Sequence, residues 1–115
     1  MMNKSVKLGI QGRPDVPPRL FDLVPRYIEK YGYKDCLFAG KVNKQWVKYD
    51  GKKFYEITNS ISYGLLKLGV KKGDRIALIA NNAPEWNMID FAIQQVGAIC
   101  IPIYPTISHD DYKYI

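Results

Sequence analysis

Two short apolar runs, joined by a segment with helical periodicity, constrain the fold of this 115-residue chain more than any other feature. The runs cover residues 75–80 and 98–101, and beyond the opening Arg75 they are apolar at every position. A strand with one face in water alternates polar and apolar residues, so both runs predict strands of a parallel sheet covered on both faces. Strand, helix and strand with short joints form a parallel, right-handed βαβ unit.

The segment between these runs has the features of a helix start. Asn82 and Glu85 stand three residues apart, as in a capping box, and Pro84 falls in the first turn, where its missing N–H is tolerated. Gly97 ends the predicted helix. Its predicted buried stripe consists of Trp86, Ile89, Ile93 and Val96.

The beginning of the chain divides into an arm and a helix. Residues 1–19 contain several glycines and prolines and few large apolar side chains, which predicts an extended N-terminal arm. The ordered domain is predicted to cover residues 20–115. Its first element is a helix over residues 20–31 that ends at Gly32, with Pro25 in the first turn or at a bend.

A β-hairpin and a second helix are predicted next. Residues 36–39 and 45–49 have strand character and flank a polar loop of about five residues, 40–44. Asp50 occupies the N-cap position of the following helix. The apolar stripe of that helix, which is predicted to pack on a sheet, consists of Phe54, Ile57, Ile61, Leu65 and Leu68.

Both ends of the βαβ region show further capping patterns. Gly69 and Val70 have the form of a Schellman ending, and residues 71–74 form a tight polar turn. Ser108 and Asp111 start a last helix that stops after about two turns, which is barely stable unless it continues or docks. The sequence therefore predicts a truncated domain, whose unpaired sheet edges favour self-association.

The net charge of +6 raises the question of an anionic partner. The lysines are scattered over hairpin, helix-end and turn positions, without the pattern of a nucleic-acid-binding module, so no nucleic-acid partner is predicted. A solvated surface is the main interpretation of these lysines, and attraction to anionic lipid or to nucleotides is the alternative. No run is long enough to span a bilayer, and a cytoplasmic protein with peripheral membrane contact is expected.

The residues that usually carry chemistry have structural explanations here. Cys36 and Cys100 lie far apart in apolar contexts, which predicts buried free thiols and no metal site. The single histidine, His109, falls in the first turn of the last helix, where the dipole disfavours its charged form. Asp74 and Arg75 enter a strand at the end opposite the ligand crevice of a parallel sheet.

The crevice end of the predicted sheet is formed by two loops. Residues 81–84 and 102–106 follow the carboxyl ends of the strands, where ligands of parallel sheets bind. Capping explains Asn82 and packing explains Tyr104, so no binding role is assigned to either.

Three ordered blocks resemble a known enzyme family. They read LLKLGVKKGDRIA at residues 65–77, NAPEW at 82–86 and QVGAICIPIYPT at 95–106. These blocks are similar to the LxxLGVxxGDRVA, N-x-P-E-W and GAxxVPIYPT segments near the start of the acyl-adenylate-forming (AMP-binding) superfamily. The last two are most similar to long-chain fatty-acyl-CoA synthetases. Around Tyr49 and Asp50 the chain departs from the family pattern.

The resemblance implies a parent enzyme that joins a fatty acid to ATP with magnesium, and then transfers the acyl group to coenzyme A. The family's phosphate loop, adenine and ribose motifs and mobile C-terminal domain have no counterpart in this sequence. No catalytic, cofactor-binding or metal-binding residue is therefore assigned, and the chain is expected to be an inactive N-terminal scaffold that needs the rest of the synthetase. A free-standing small α/β binding or interaction module is the alternative.

Overall fold

The backbone follows a mixed α/β order through residues 16–115, the part of the chain that the computed structural model describes. A 3-10 turn at Leu20–Asp22 precedes a nine-residue helix, two consecutive strands follow, and helices and strands alternate after them. Their bounds are α1 Leu23–Tyr31, β1 Phe38–Val42, β2 Gln45–Tyr49, α2 Gly51–Lys67, β3 Arg75–Ile79, α3 Pro84–Gln95, β4 Ile99–Ile103 and α4 His109–Tyr114. The predicted arm lies mostly outside the described residues and stays a prediction.

Strands β3 and β4 pair in parallel, with α3 between them in the chain. The register runs from Arg75 opposite Ile99 to Ile79 opposite Ile103, and α3 packs on both strands. A bond from Gly73 N to the carbonyl of Gly97 continues the pairing ahead of the strands, at 2.9 Å. The predicted parallel unit is confirmed.

The prediction that this sheet is covered on both faces is wrong for the described residues. Leu78 is buried against α3, whereas Ile79 and Ile99 expose 49% and 51% of their surface. Helix α3 covers one face, and the opposite face of β3 and β4 stays open. Continuous apolar character is typical of strands that are buried on both faces of a sheet. In residues 16–115, only one face of β3 and β4 is covered.

Strands β1 and β2 form an antiparallel hairpin with a two-residue turn. Asn43 and Lys44 adopt positive φ angles of 48° and 65°, as a type I′ turn requires, and Val42 pairs with Gln45 beside them. The predicted five-residue loop is wrong because Gly40 and its two successors extend the strand. The twist of the I′ turn matches that of the strands, which makes this short connection favourable.

The caps of α1 and α2 follow the sequence prediction. Pro25 lies in the first turn of α1, and Gly32 ends that helix with a φ of 71°. The Asp50 carboxylate accepts a hydrogen bond from a first-turn N–H of α2 at 2.7 Å. At the other end, the Val70 N–H reaches the Leu65 carbonyl at 3.1 Å, which completes the Schellman ending.

The core lies where α1, α2, α3 and the base of the hairpin meet. Phe54, Met88 and Val24 are buried to 0%, 1% and 5% exposure. The Phe54 ring stacks on Phe38 of β1, with 4.6 Å between centroids, and meets the edge of Phe91 at 5.9 Å. These aromatic contacts fix the base of the hairpin against both long helices.

The buried stripes of α2 and α3 differ from the predicted ones. In α3 the innermost positions are Pro84, Met88 and Ala92, four residues apart, while Trp86 is only half-buried. The small Ala92 lets α2 approach closely, so the contact line follows this i, i+4 row. Ile89 and Val96 are half-buried, Ile93 is buried as predicted, and in α2 the predicted Leu68 is 83% exposed.

Polar side chains occupy part of the contact between α2 and α3. The Ser62 hydroxyl donates to Gln95 Oε1, and the Gln95 amide donates to Asn59 Oδ1 at 3.3 Å. Thr58, 2% exposed, lies next to them along α2, and its hydroxyl has no hydrogen-bond partner among the described residues. We refer to Thr58, Asn59, Ser62 and Gln95 as the polar seam.

The last helix begins as the sequence predicts. Ser108 and Asp111 form a reciprocal capping box, with the Asp111 N–H 3.2 Å from Ser108 Oγ and the Ser108 N–H 3.3 Å from Asp111 Oδ2. Tyr112 donates its hydroxyl to the Tyr104 carbonyl at 3.1 Å, which holds α4 beside the end of β4. In residues 16–115, no helix has the length and apolar character to cross a bilayer.

Candidate functional site

The hairpin leans over the start of α3 and makes a cleft there. A Cβ on Gly40 would lie 2.8 Å from Cδ of Pro84, so only glycine fits at this crossing without a shift. Tyr49 at the base of β2 donates its hydroxyl to Glu85 Oε1 at 2.9 Å. Two contacts, one steric and one polar, therefore set the distance between the hairpin and α3.

The cleft measures about 840 Å³ and lies at the carboxyl ends of β3 and β4. Both loops that the sequence places at the crevice end contribute to its wall, from Asn82 to Asn87 and from Pro102 to Tyr104. The opposite wall is the hairpin, which sequence reasoning missed. The contributing residues of the hairpin are Phe38, Ala39, Gly40, Lys41, Val42, Trp46, Val47 and Tyr49.

The hairpin wall was missed because its contacts with α3 join residues far apart in the sequence. Tyr49 and Glu85 are 36 positions apart, and neither belongs to a motif that would connect them. The hydrogen bond to the Glu85 carboxylate raises the pKa of Tyr49, because ionising the phenol would remove the donated proton and place two negative charges side by side. Tyr49 thus remains a neutral donor at physiological pH.

Asn82 does not cap α3. The N-cap is Ala83, in an extended conformation, and no side chain accepts a hydrogen bond from the first turn. Pro84 is the first helical residue, as predicted, and the residue before a proline is driven to extended backbone, so the cap falls on Ala83. The predicted capping box is therefore wrong, and Glu85 binds Tyr49 instead.

Tyr104 is 79% exposed at the rim of the cleft, so the packing role predicted for it is wrong within residues 16–115. Its carbonyl, not its ring, is engaged, as the acceptor for Tyr112. Tyr104 and Asn82 are both exposed on the same cleft, but the structure gives neither a side-chain partner within the described range.

A magnesium nucleotide does not fit the donor set of this region. Within residues 16–115, no three His, Cys, Asp or Glu side chains cluster as metal ligands. The one carboxylate on the cleft wall, Glu85, already accepts the Tyr49 proton, and the one lysine, Lys41, places Nζ 5.6 Å from the Trp46 ring centroid. A triphosphate needs several convergent cations or N–H groups.

The remaining chemistry-bearing residues lie away from the cleft or are engaged structurally. Asp74 accepts a hydrogen bond from the Lys71 N–H at 2.8 Å, which closes the turn before β3. Arg75 and His109 are exposed, the latter in the first turn of α4. None of them is brought together with another reactive group in the part of the chain described.

The two cysteines are free, but the prediction that both are buried is wrong. Cys36 is exposed because it precedes β1 in irregular backbone, where its thiol lies 3.4 Å from the Phe38 carbonyl. Cys100, in β4, is half-buried. Burial raises the pKa of the Cys100 thiol to about 11, and the nearby Asp90 carboxylate adds to this.

Comparison with models of protein families shows which family the chain belongs to. The family model described as AMP-binding enzyme matches residues 25–115. This chain belongs to the AMP-binding enzyme family. The family assignment drawn from the three sequence blocks is thereby confirmed.

Curated relatives in the AMP-binding family include long-chain-fatty-acid–CoA ligases. The ligase FadD15 of Mycobacterium bovis is 42% identical over 52 residues, which is 45% of this chain and 9% of that protein. The ligase ACSBG2 of Gallus gallus is 28% identical over 101 residues, 88% of this chain and 13% of that protein. The chain thus spans a small part of the length of these relatives.

Solved structures share the fold. The crystal structure of IdnL1 matches with a TM-score of 0.73 at 16% identity, over 82% of this chain and 19% of that one. The Mycobacterium tuberculosis fatty acyl CoA synthetase matches with a TM-score of 0.57 at 25% identity, over 59% of this chain and 14% of that one. Much of the fold of residues 16–115 is therefore shared with these two solved structures.

Proposed function

We propose that this chain is the N-terminal scaffold portion of a long-chain fatty-acid–CoA ligase. Such an enzyme converts a fatty acid, ATP and coenzyme A into acyl-CoA, AMP and pyrophosphate, with magnesium assisting the first step. The observation that carries the proposal is the family match over residues 25–115, together with relatives that are themselves long-chain-fatty-acid–CoA ligases.

The chain's own part in this reaction is structural. The parallel pair β3–β4 and helix α3 start a sheet, and the hairpin forms one wall of a cleft at its carboxyl end. The open face of the sheet, with Ile79 and Ile99 half-exposed, offers apolar area to the rest of the synthetase. The residues that neutralise the triphosphate are proposed to lie in that remainder, and the enzyme is proposed to act in the cytoplasm.

Pyrophosphate exchange tests whether the chain has a structural role only, without adenylation activity of its own. The chain alone, supplied with ATP, magnesium, a long-chain fatty acid and labelled pyrophosphate, is expected to form labelled ATP only at the background rate. A full-length long-chain-fatty-acid–CoA ligase serves as the positive control. Exchange above background by the chain alone would show that residues 1–115 carry adenylation chemistry, and the scaffold role would be abandoned.

Reading the encoding gene beyond codon 115 tests the proposal against a free-standing α/β interaction module. A continuing frame that encodes a Ser/Thr/Gly-rich loop ending in lysine supports the ligase, and a stop codon supports the module. The product of the whole frame is then expected to form palmitoyl-CoA and AMP from palmitate, ATP and coenzyme A. Acetate is the control substrate, and a preference for acetate would remove the long-chain assignment.

We expect copies of this chain, when produced alone, to associate with one another. Strands β3 and β4 each have a neighbour on one side only among the described elements, and a free edge is a template for pairing. Light scattering after size-exclusion chromatography is expected to show species larger than 13.2 kDa. A monomer at all concentrations would contradict this expectation.

A further inference from the structure

The cleft between the hairpin and α3 is rich in aromatic rings. Five of its eighteen lining residues are aromatic, whereas aromatic residues make up 13% of the chain. Two of the five are engaged at the base of the hairpin, in the stack on Phe54 and in the bond to Glu85. The other three are half-buried Trp86, Trp46, which is 65% exposed, and exposed Tyr104. Trp46 and Tyr104 therefore offer free ring surface from opposite walls of the cleft.

Two valines of the hairpin line the same cleft. Side chains alternate along a strand, so Val42 and Val47 lie on the same face as Gly40, which touches Pro84. They nevertheless expose 52% and 38% of their surface, so the described side chains do not fill the space in front of them. The cleft volume of about 840 Å³ lies within the range of roughly 300–1,000 Å³ that is usual for ligand sites. The cleft thus has the size and apolar character of a binding site.

The free polar side chains of the cleft include several hydrogen-bond donors. The amides of Asn82 and Asn87, the Tyr104 hydroxyl and the Trp46 indole N–H have no acceptor among the described residues. The one carboxylate on the wall, that of Glu85, already accepts a tyrosine proton. A ligand that fits this set is apolar in outline, offers several acceptors and carries little charge.

A proline-rich segment in the polyproline II conformation has these properties. Proline has no N–H, and this helix makes no internal hydrogen bonds, so its carbonyl groups are free acceptors. Its rings pack against aromatic side chains, and its preformed conformation lowers the entropy cost of binding. A single-stranded nucleic acid needs a positively charged groove, and the cleft has one lysine, Lys41. A hydrocarbon chain would leave the donors of the cleft without acceptors.

We propose that the cleft binds a proline-rich segment of a partner protein in the polyproline II conformation. Trp46 and Tyr104 pack on the proline rings from opposite walls, and the Asn82 amide donates to a carbonyl of the segment. Lys41 on the cleft wall favours an acidic residue beside the prolines. This inference concerns a protein partner and does not rest on the proposed ligase role.

Tryptophan fluorescence tests the binding. Both tryptophans of the chain line the cleft, so their emission reports whether it is occupied. The probe is an oligoproline peptide that ends in glutamate, and the control is a glycine–serine peptide of equal length and charge, which has no preformed helix. The probe is expected to shift the emission and to bind roughly tenfold more tightly than the control. Equal affinities for the two peptides, or no shift with either, would overturn the proposal whether or not the chain has ligase activity.

A pair of tyrosine variants tests the aromatic walls. Tyr104→Ala is expected to weaken oligoproline binding roughly tenfold, because a tyrosine that packs on a ligand contributes more than most contacts. Tyr33→Ala removes another exposed tyrosine, outside the cleft lining, and is expected to leave the affinity unchanged. Circular dichroism checks that both variants are folded. Equal losses in the two variants would show that the peptide binds to exposed tyrosines in general, and the cleft would be rejected as its site.

A change from amide to carboxylate tests the hydrogen-bond donors. Asn82→Asp places an acceptor where the proposal needs a donor and is expected to weaken oligoproline binding roughly tenfold. Gln45→Glu makes the same change beside the hairpin turn, outside the cleft lining, and should keep the affinity within about twofold because exposed charges are screened. Unchanged binding by Asn82→Asp would contradict the assigned contact. Tighter binding of palmitate or of a single-stranded oligonucleotide than of oligoproline would assign the cleft to that ligand instead.

Discussion

Substituting alanine for Gly40 isolates the contact that sets the hairpin against α3. The added Cβ would lie 2.8 Å from Cδ and 3.2 Å from Cγ of Pro84. Carbon atoms in contact are about 3.5–4.0 Å apart, so the nearer contact is roughly 0.7–1.2 Å too short. The proline ring is part of the backbone of α3 and cannot rotate away, so the hairpin itself must move.

The cost of this movement follows from known overpacking effects. Inserting a methyl group into a packed site destabilises a protein by about 1–3 kcal/mol. Replacing glycine in an ordinary strand conformation returns about 0.4–1 kcal/mol by restricting the unfolded chain. Gly40→Ala is therefore expected to lower the free energy of unfolding by about 1–2 kcal/mol, and to weaken the Tyr49–Glu85 hydrogen bond at the base of the same hairpin.

Urea unfolding followed by circular dichroism measures the change, and Gly64→Ala is the matched control. A Cβ at Gly64 meets nothing within 4 Å, so alanine there is expected to stabilise α2 by about 0.5–1 kcal/mol. The two glycine-to-alanine variants should shift the midpoint in opposite directions. A Gly40→Ala protein as stable as the unmodified chain would refute the close packing of hairpin and helix.

Three further predictions concern caps, ionisation and reactivity. Asp50→Ala removes the N-cap acceptor of α2 and is expected to cost about 1 kcal/mol in urea unfolding, and Asp50→Asn should restore most of it. Tyr49→Phe is expected to lower stability below the ordinary tyrosine pKa of 10.0; because folding raises that pKa, the difference between the two proteins should vanish as pH rises through the raised value. A constant difference above this range would contradict the bond. With a thiol pKa of about 11, Cys100 is ionised in roughly one molecule per thousand at pH 8, so iodoacetamide should modify exposed Cys36 first, and mass spectrometry reads the order. Faster labelling of Cys100 would show that the strand is open.

Local chemistry made much of the fold predictable. Asp50, Ser108 and Gly69 each end or begin a helix through bonds within one turn, so the sequence alone specifies them. The parallel pairing of β3 and β4 followed from continuous apolar character and short connections. These features depend on neighbours in the chain and need no knowledge of the tertiary structure.

The failures occur where distant contacts decide. The cap of α3 is the exception, because a local rule decides it: Pro84 drives the preceding residue to extended backbone, so the cap falls on Ala83 instead of Asn82. The buried stripe of α3 turned toward Met88 because two neighbours, the sheet and α2, compete for its surface. The hairpin wall of the candidate site depends on Tyr49 meeting Glu85, and periodicity contains no information about that pairing.

The polar seam has a consequence for how α2 and α3 can be joined. If leucines filled this contact, one helix could shift by a turn with little loss of stability. Ser62 and Gln95, in contrast, can form their hydrogen bond only in one alignment of the two helices. Displacing one helix by a turn would break the Ser62–Gln95 and Gln95–Asn59 hydrogen bonds, which contribute about 0.5–1.5 kcal/mol each. These hydrogen bonds therefore favour one relative position of the two helices. The Thr58 hydroxyl, which has no partner among the described residues, does not contribute to that preference.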